Sequence, residues 1–246
     1  MSKMILHCGS EESTLEQVKQ VPVPPHTSTW RPVPYGQAIE WVRLTVQDRI
    51  GARIETERFG LNREGNQLFG LMTLDTGDAE HALSIGIRGS YDKSLAWGVA
   101  IGSNVFVCDN LCFSSNAFLV MRKNTVNVWQ DYTRMVYRAL GTARQSHDAM
   151  RADITAMKAL PCSVDDGYAV LGRMFGHGLL TPRQASVAFG DWREPRHEDF
   201  TDRNVWSLYN CATEGLKKGP RGQIIDRHCA AHEFFRQAMA DARPVA

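Results

Sequence analysis

The clearest hydrophobic pattern in the chain runs through residues 126–159. Apolar and aromatic positions recur there every three or four residues, at Trp129, Tyr132, Val136, Leu140, Ala143, His147, Met150, Ile154 and Met157. At about 100° per residue these positions fall in one stripe, which predicts a single long amphipathic helix that ends near Leu160 and Pro161. A stripe of this length forms one wall of a core or a seam with a second copy of the chain, so a homo-oligomer is one hypothesis.

Residues 52–113 carry a different pattern, in which polar and apolar positions roughly alternate. The segment NREGN separates two such runs and predicts a hairpin with a short loop. About five strands follow one another with no connection of helix length between them. Because parallel strands need long crossovers, we expect a largely antiparallel sheet.

Helical patterns flank this sheet. A short helix is predicted over residues 37–48, and three shorter helices follow the long one. Ser163 and Thr181 are the predicted N-caps of two of them, and Gly219–Pro220 ends the third. A final helix carries Ile225 and Phe235. The order predicts an α+β fold: a sheet of about five strands (52–113) packed with a long helix (126–159) and shorter C-terminal helices.

Residues 1–35 differ from the rest in their proline content. Five prolines crowd the second half of this segment, at Pro22, Pro24, Pro25, Pro32 and Pro34. Proline fixes φ and removes a backbone donor, so we expect an extended leader that lies over a single domain spanning 36–246.

Composition narrows the classes of protein. Apolar residues make up 43% of the chain and the net charge is +1, which fits a globular protein and argues against disorder. No run approaches the length of a membrane span, and the first residues lack the pattern of a signal peptide. Six scattered cysteines fit reduced thiols, so we expect a cytoplasmic protein without a membrane partner.

The motifs for cofactors and metals are weak. His228 and His232 have the i, i+4 spacing of metal ligands, but they share a stripe with Ile225 and Phe235, which favours core histidines. The glycine-rich run 172–178 ends a helix and matches no nucleotide-binding pattern. We therefore predict neither a metal nor a cofactor.

Two sets of residues are candidates for function. The first is a polar turn between strands that holds Ser90, Asp92 and Ser94. We expect Asp109 and Asn110, which end the next pair of strands, to lie beside this turn. Such residues make turns through side-chain to backbone bonds, and loops on a rigid sheet also carry sites.

The second set is basic. Residues 122–158 hold a local charge of +4, and Arg144, Arg151 and Lys158 repeat every seven residues along the predicted helix. Such a stripe can follow a phosphate backbone, or it can be a solvated face. The predicted nucleic-acid contacts are the basic side chains and one ring that could stack on a base, namely Arg88, Lys93, Arg122, Lys123, Arg134, Arg138, Arg144, Arg151 and Trp97; Tyr91 is an alternative stacking ring.

Several short elements together resemble a known family. They are Ser90-x-Asp92-x-Ser94, the run 105–110 (VFVCDN), Arg122 before the long helix, and the run 206–214 (WSLYNCATE). These elements resemble the phage- and plasmid-borne domain-of-unknown-function family 932 over roughly residues 50–220. The resemblance implies a mobile-element protein in the cytoplasm of a host cell, and it implies no activity.

Three functional hypotheses follow. The leading one is a nucleic-acid-binding accessory protein for DNA processing, recombination or counter-defence, with single strands as the partner. The second is an enzyme of phosphoester or nucleotide chemistry, with or without a metal, whose site near the Ser90–Ser94 turn would join Arg88, Ser90, Asp92 and Asp109. The third is an inhibitor that binds a host defence protein through Trp30, Trp192 and the proline-rich arm.

Overall fold

The computed structural model describes residues 11–75, 77, 81–105, 110–120, 125–219 and 224–241. Within these ranges six strands form one antiparallel sheet in sequence order. They are β1 (Glu11–Ser13), β2 (Ile54–Asn62), β3 (Gln67–Leu74), β4 (His81–Ser90), β5 (Gly98–Val105) and β6 (Asn110–Val120). The predicted antiparallel sheet is confirmed, and the N-terminal segment adds a sixth strand at its edge.

Helices precede and follow the sheet, as the α+β prediction requires. They are α1 (Leu15–Gln20), α2 (Tyr35–Arg49), α3 (Val128–Gly141), α4 (Ala143–Ala159), α5 (Val164–Gly176), α6 (Pro182–Arg193), α7 (Val205–Leu216) and α8 (Ile224–Asp241), with a 3₁₀ turn at Glu198–Phe200. The α+β fold class is therefore confirmed.

The prediction of one helix over 126–159 is wrong, because the helix breaks between α3 and α4. Thr142 has φ −108° and ψ 5°, and its N–H bonds to Ala139 and Leu140 instead of continuing the helical ladder. Glycine and β-branched threonine are both weaker helix formers than alanine. The next hydrogen bond, from Ser146 N–H to the Thr142 carbonyl, restarts the ladder at once, so the apolar stripe continues across the break.

The prediction of an extended leader is wrong for Leu15–Gln20. Thr14 and Gln17 form a capping box that starts α1, and all the prolines of the segment lie beyond this helix. Residues 21–34 contain neither helix nor strand. Val18 and Val33 are both 1% exposed, so the segment packs into the core.

Two apolar clusters hold the elements together. On one face of the sheet, alternate residues of β4 such as Ile85 pack in a cluster with Ile39 of α2 and Tyr132 of α3. The second cluster joins α4 to the C-terminal helices and includes Trp192 and Tyr209. The outer sides of α3 and α4 remain in contact with solvent.

Candidate nucleic-acid interface

The polar turn after β4 is closed by hydrogen bonds among its own groups. Ser90 Oγ accepts from the Leu95 N–H at 2.9 Å and donates to the Leu95 carbonyl at 3.1 Å. Asp92 accepts from the N–H of Ser94 at 2.9 Å and from its hydroxyl, and Arg63 donates to Asp92 at 3.1 Å. Ser94 Oγ also accepts from Gln67 at 2.7 Å. The interpretation of these residues as a turn stabiliser is confirmed.

Electrostatics agree with a structural role for Asp92. Burial alone would raise the pKa of its carboxyl group, but the hydrogen bonds from Ser94 and Arg63 outweigh burial and hold the pKa below the usual range. A carboxylate that stays ionised in this way stabilises the turn and is a weak proton acceptor.

Strand register separates the two halves of the predicted polar site. Val105 pairs with both His81 and Asn110, so Asn110 lies level with the first residue of β4. Ser90 is the last residue of that ten-residue strand. At about 3.3 Å per residue the two positions are roughly 30 Å apart. The expectation that Asn110 lies beside the turn is wrong, and Asp109 lies outside the described residues.

Two predicted contact residues are buried instead of facing a ligand. Trp97 is 0% exposed, and its ring meets the ring of Tyr132 edge to face at 5.0 Å. Tyr91, the alternative ring, is also buried and stacks on Tyr35. A ring without an accessible face cannot stack on a base, so the prediction for Trp97 and Tyr91 is wrong.

Arg88 is also placed differently from the prediction. Its side chain is 8% exposed and forms an ion pair with Asp226 of α8 at 3.2 Å. A buried, paired guanidinium is a costly group to move, so the prediction that Arg88 contacts phosphate is wrong. Lys93 is exposed, with its ammonium 5.0 Å from the ring centroid of Trp30. Arg122 and Lys123 lie outside the described residues.

The remaining predicted arginines are exposed. Arg134 and Arg138 lie on the outer side of α3, and Arg144 and Arg151 lie on α4. Arg144 also donates to the Ile50 carbonyl at 2.8 Å, so it fixes the end of α2 against the break. Among the described residues no carboxylate forms an ion pair with Arg134 or Arg138.

Two aromatic residues beside these arginines were missed by the sequence reasoning. Trp129 is 39% exposed and Tyr137 is 45% exposed, although both are large rings on α3. The sequence pattern places Trp129 in the buried stripe, whereas in the structure Trp129 flanks that stripe. Tyr137 falls outside the apolar stripe and directly precedes Arg138. Its position on the polar side of the helix is the feature of the sequence that indicates an exposed ring.

Neighbouring helix α2 holds both rings in place. Trp41 contacts the edge of Trp129, with 6.5 Å between centroids, and donates from its indole N–H to the Thr133 carbonyl at 3.3 Å. The Arg49 guanidinium lies 4.4 Å from the ring centroid of Tyr137 and donates to its hydroxyl at 3.1 Å. We call the exposed side chains of Trp129, Arg134, Tyr137 and Arg138 the α3 surface.

Helix α7 buries all but the last residue of the run 206–214, one of the elements that resemble a family. Trp206 and Tyr209 stack at 5.4 Å, Asn210 donates to the Trp206 carbonyl at 2.9 Å, and Thr213 donates to the Tyr209 carbonyl at 3.1 Å. These contacts stabilise α7 within its cluster. A structural role accounts for them without a ligand.

Both histidines of α8 are buried, at 1% exposure, as the core interpretation predicted. His232 Nε2 lies 3.1 Å from a carboxylate oxygen of Asp153, which Arg236 also contacts at 3.4 Å. In the part of the chain that the structure describes, no three His, Cys, Asp or Glu side chains converge as metal ligands.

The anchors of the protein-binding hypothesis are buried too. Trp192 is 0% exposed and donates from its indole to the Val164 carbonyl at 3.0 Å, and Trp30 is 8% exposed. The prediction that these two rings recognise a host protein is therefore wrong.

Comparisons of the chain with protein-family models, with curated proteins and with solved structures find no match. The resemblance to domain-of-unknown-function family 932 stays a prediction. No helix within the described ranges is both long enough and apolar enough to span a bilayer.

Proposed function

We propose that this protein binds nucleic acid through the α3 surface. The observation that supports the proposal is that one helix exposes two arginines, Arg134 and Arg138, together with the rings of Trp129 and Tyr137. Guanidinium groups bind phosphate oxygens, and rings bind the faces of bases. The surface thus offers both chemistries that a polynucleotide presents.

Local charge favours the same ligand. Asp131 is the acidic residue of α3, and it forms no ion pair with Arg134 within the described residues. Arg49 and Arg144 add positive charge where α2 meets the break between α3 and α4. An anionic polymer is attracted to such a patch even though the net charge of the whole chain is +1.

The two rival hypotheses have less support. An enzyme site at the polar turn would need Ser90, Asp92 and Ser94 to be available, and each of them already takes part in the bonds that close the turn. The protein-binding hypothesis relied on Trp30 and Trp192, and both of these rings are buried. The role in phage or plasmid DNA processing, recombination or counter-defence rests on the family resemblance, and we propose it on that basis.

Charge reversal of Arg134 and Arg138 to glutamate tests the proposal. We expect weaker binding of labelled oligonucleotides in fluorescence anisotropy, because two phosphate contacts are lost. For single strands each contact contributes about 0.7 to the slope of log affinity against log salt concentration. The double variant should therefore flatten that slope by roughly 1.4.

Reversal of Arg173 and Arg183 to glutamate is the matched control. Both residues are exposed, on α5 and α6, and the substitutions change the net charge of the chain by the same amount. If the two double variants bind alike, bulk charge explains the binding and the α3 surface does not. Absence of binding by the unchanged protein at low salt would overturn the proposal itself.

A further inference from the structure

We infer that Trp129 and Tyr137 form a stacking platform for unpaired bases, so that the ligand of the α3 surface is a single strand of at least about four nucleotides. This inference rests on the proposed function and adds to it the form of nucleic acid and the two rings that select it. The spacing of the rings, their support and the charges beside them carry the inference.

The spacing of the two rings sets the length of strand that can contact both. Tyr137 follows Trp129 by eight residues on α3, so the two rings are separated by about 12 Å along the helix axis and by roughly 80° around it. Both rings thus face the same side of the molecule. Bases stacked in one strand repeat every 3.4 Å or so, and about 12 Å corresponds to three or four such steps. A strand of about four nucleotides can reach both rings, whereas a dinucleotide cannot.

Support for the rings comes from α2. A ring that is already held by a neighbour loses little conformational freedom when a base stacks on it. Trp41 meets Trp129 edge to face, the buried ring of Tyr132 stacks on Trp129 at 5.9 Å, and the Arg49 guanidinium lies over Tyr137. Both rings nevertheless keep more than a third of their surface exposed. They are fixed in position and remain accessible, which is what a stacking platform requires.

The arginines of the surface complete the arrangement. Arg134 lies between the two rings in the sequence, and Arg138 lies directly after the second ring. A strand that stacks its bases on the rings therefore passes guanidinium groups suited to its phosphates. In a duplex the base faces are covered by neighbouring pairs, so the rings have nothing to stack on. The platform consequently prefers single strands to duplexes.

Charge complementarity favours a nucleic acid as the occupant of this surface. Arg134 and Arg138 are exposed, and no described carboxylate pairs with either of them. A polynucleotide presents an anionic phosphate at every step, whereas a protein partner would need an acidic side chain placed opposite each arginine.

A strand without bases gives the sharpest test, because it uses the unchanged protein. Labelled oligothymidylate of twelve nucleotides is compared with an abasic strand of the same length and charge, and with a duplex of that length. Stacking on one ring contributes a factor of roughly 5 to 150 in affinity. We expect the abasic strand and the duplex to bind more weakly than oligothymidylate by at least the lower figure.

Variants then locate the effect. Trp129→Leu and Tyr137→Leu should each weaken oligothymidylate binding by about 5-fold or more and leave binding of the abasic strand unchanged. Trp129→Phe keeps a ring and should restore most of the affinity. Because Trp129 also contacts Trp41 and Tyr132, thermal unfolding followed by circular dichroism checks that each variant is folded.

The outcomes separate this inference from the proposed function. Equal binding of the abasic strand and oligothymidylate by the unchanged protein would overturn the stacking platform and leave nucleic-acid binding intact. Equal binding of dinucleotides and longer strands would do the same. Failure of the unchanged protein to bind any of the probes would overturn the proposed function, and the inference with it.

Discussion

The ring of Tyr35 lies parallel to the ring of Tyr91, with 3.9 Å between the centroids and 2° between the planes. The Tyr91 hydroxyl also accepts a hydrogen bond from the Tyr35 N–H at 3.1 Å. Tyr35 is the first residue of α2, and Tyr91 directly follows β4. This pair therefore joins the start of a helix to the end of a strand and places α2 against the sheet.

Tyr91→Phe should lower the free energy of unfolding by about 1–3 kcal/mol, because the buried N–H of Tyr35 loses its acceptor while the stacked ring remains. Urea unfolding followed by circular dichroism measures the change. Tyr137→Phe is the control, since it removes a hydroxyl that is exposed to water. We expect a change of less than about 0.5 kcal/mol there. Equal effects of the two substitutions would contradict the role assigned to the buried hydroxyl.

Two glycines of α5 offer a matched test of packing. A Cβ atom at Gly167 would lie 2.3 Å from the ring of Trp192, whereas a Cβ atom at Gly172 would meet nothing within 4 Å. Gly167→Ala should therefore lower the free energy of unfolding by about 1–3 kcal/mol through overpacking. Gly172→Ala should raise it by up to about 1 kcal/mol, because alanine is the better helix former.

Differential scanning calorimetry of the two alanine variants gives the comparison directly. Both changes add one methyl group to the same helix, so any effect of helix propensity is shared. A Gly167→Ala protein as stable as the Gly172→Ala protein would show that the Trp192 ring can move aside.

We expect the free energy of unfolding to depend on pH through the carboxyl group of Asp92. Its pKa in the folded protein is lowered, so its contribution is complete above the pKa of the unfolded chain, near 3.9, and is lost as the pH falls through the folded value. Asp92→Asn removes that contribution. The difference in free energy of unfolding between the two proteins should be greatest above about pH 5 and should shrink below about pH 4.

Measurement of urea unfolding from neutral pH down to the lowest pH at which the protein remains folded tests this expectation. Asp165→Asn serves as the control, because Asp165 is an exposed residue of the first turn of α5. A difference between the Asp92 variant and the unchanged protein that stays constant across the whole range would contradict the assigned cause.

Local chemistry made part of this fold predictable. The capping box of Thr181 and Gln184 involves neighbours three residues apart, and both of its hydrogen bonds are present. The turn at Ser90–Ser94 is likewise closed by side chains close in sequence to the groups that they bind. Bonds of this kind depend on short stretches of chain, so residue type and spacing are sufficient to predict them.

The predictions that failed concern residues whose exposure or position depends on contacts with residues far away in the sequence. Arg88 forms its ion pair with Asp226, which lies 138 residues further along the chain. Trp97 is buried because it packs against Tyr132 and leaves no room for a side chain at Gly89. The place of Asn110 follows from strand register. Sequence alone assigned basic side chains to a ligand, but which of them remain exposed depends on the three-dimensional packing.

The short strand β1 protects the open side of β2. It carries Glu11 and Glu12, and Glu12 pairs with Arg58 of β2 at 3.1 Å. Charged residues on a brief outer strand discourage other chains from adding to a sheet. A polypeptide shortened to begin at Tyr35 would leave the backbone donors and acceptors of β2 uncovered, together with the apolar surface on which Val18 packs. Such a fragment would tend to assemble edge to edge into aggregates, and the acidic tripeptide is therefore a guard against self-association.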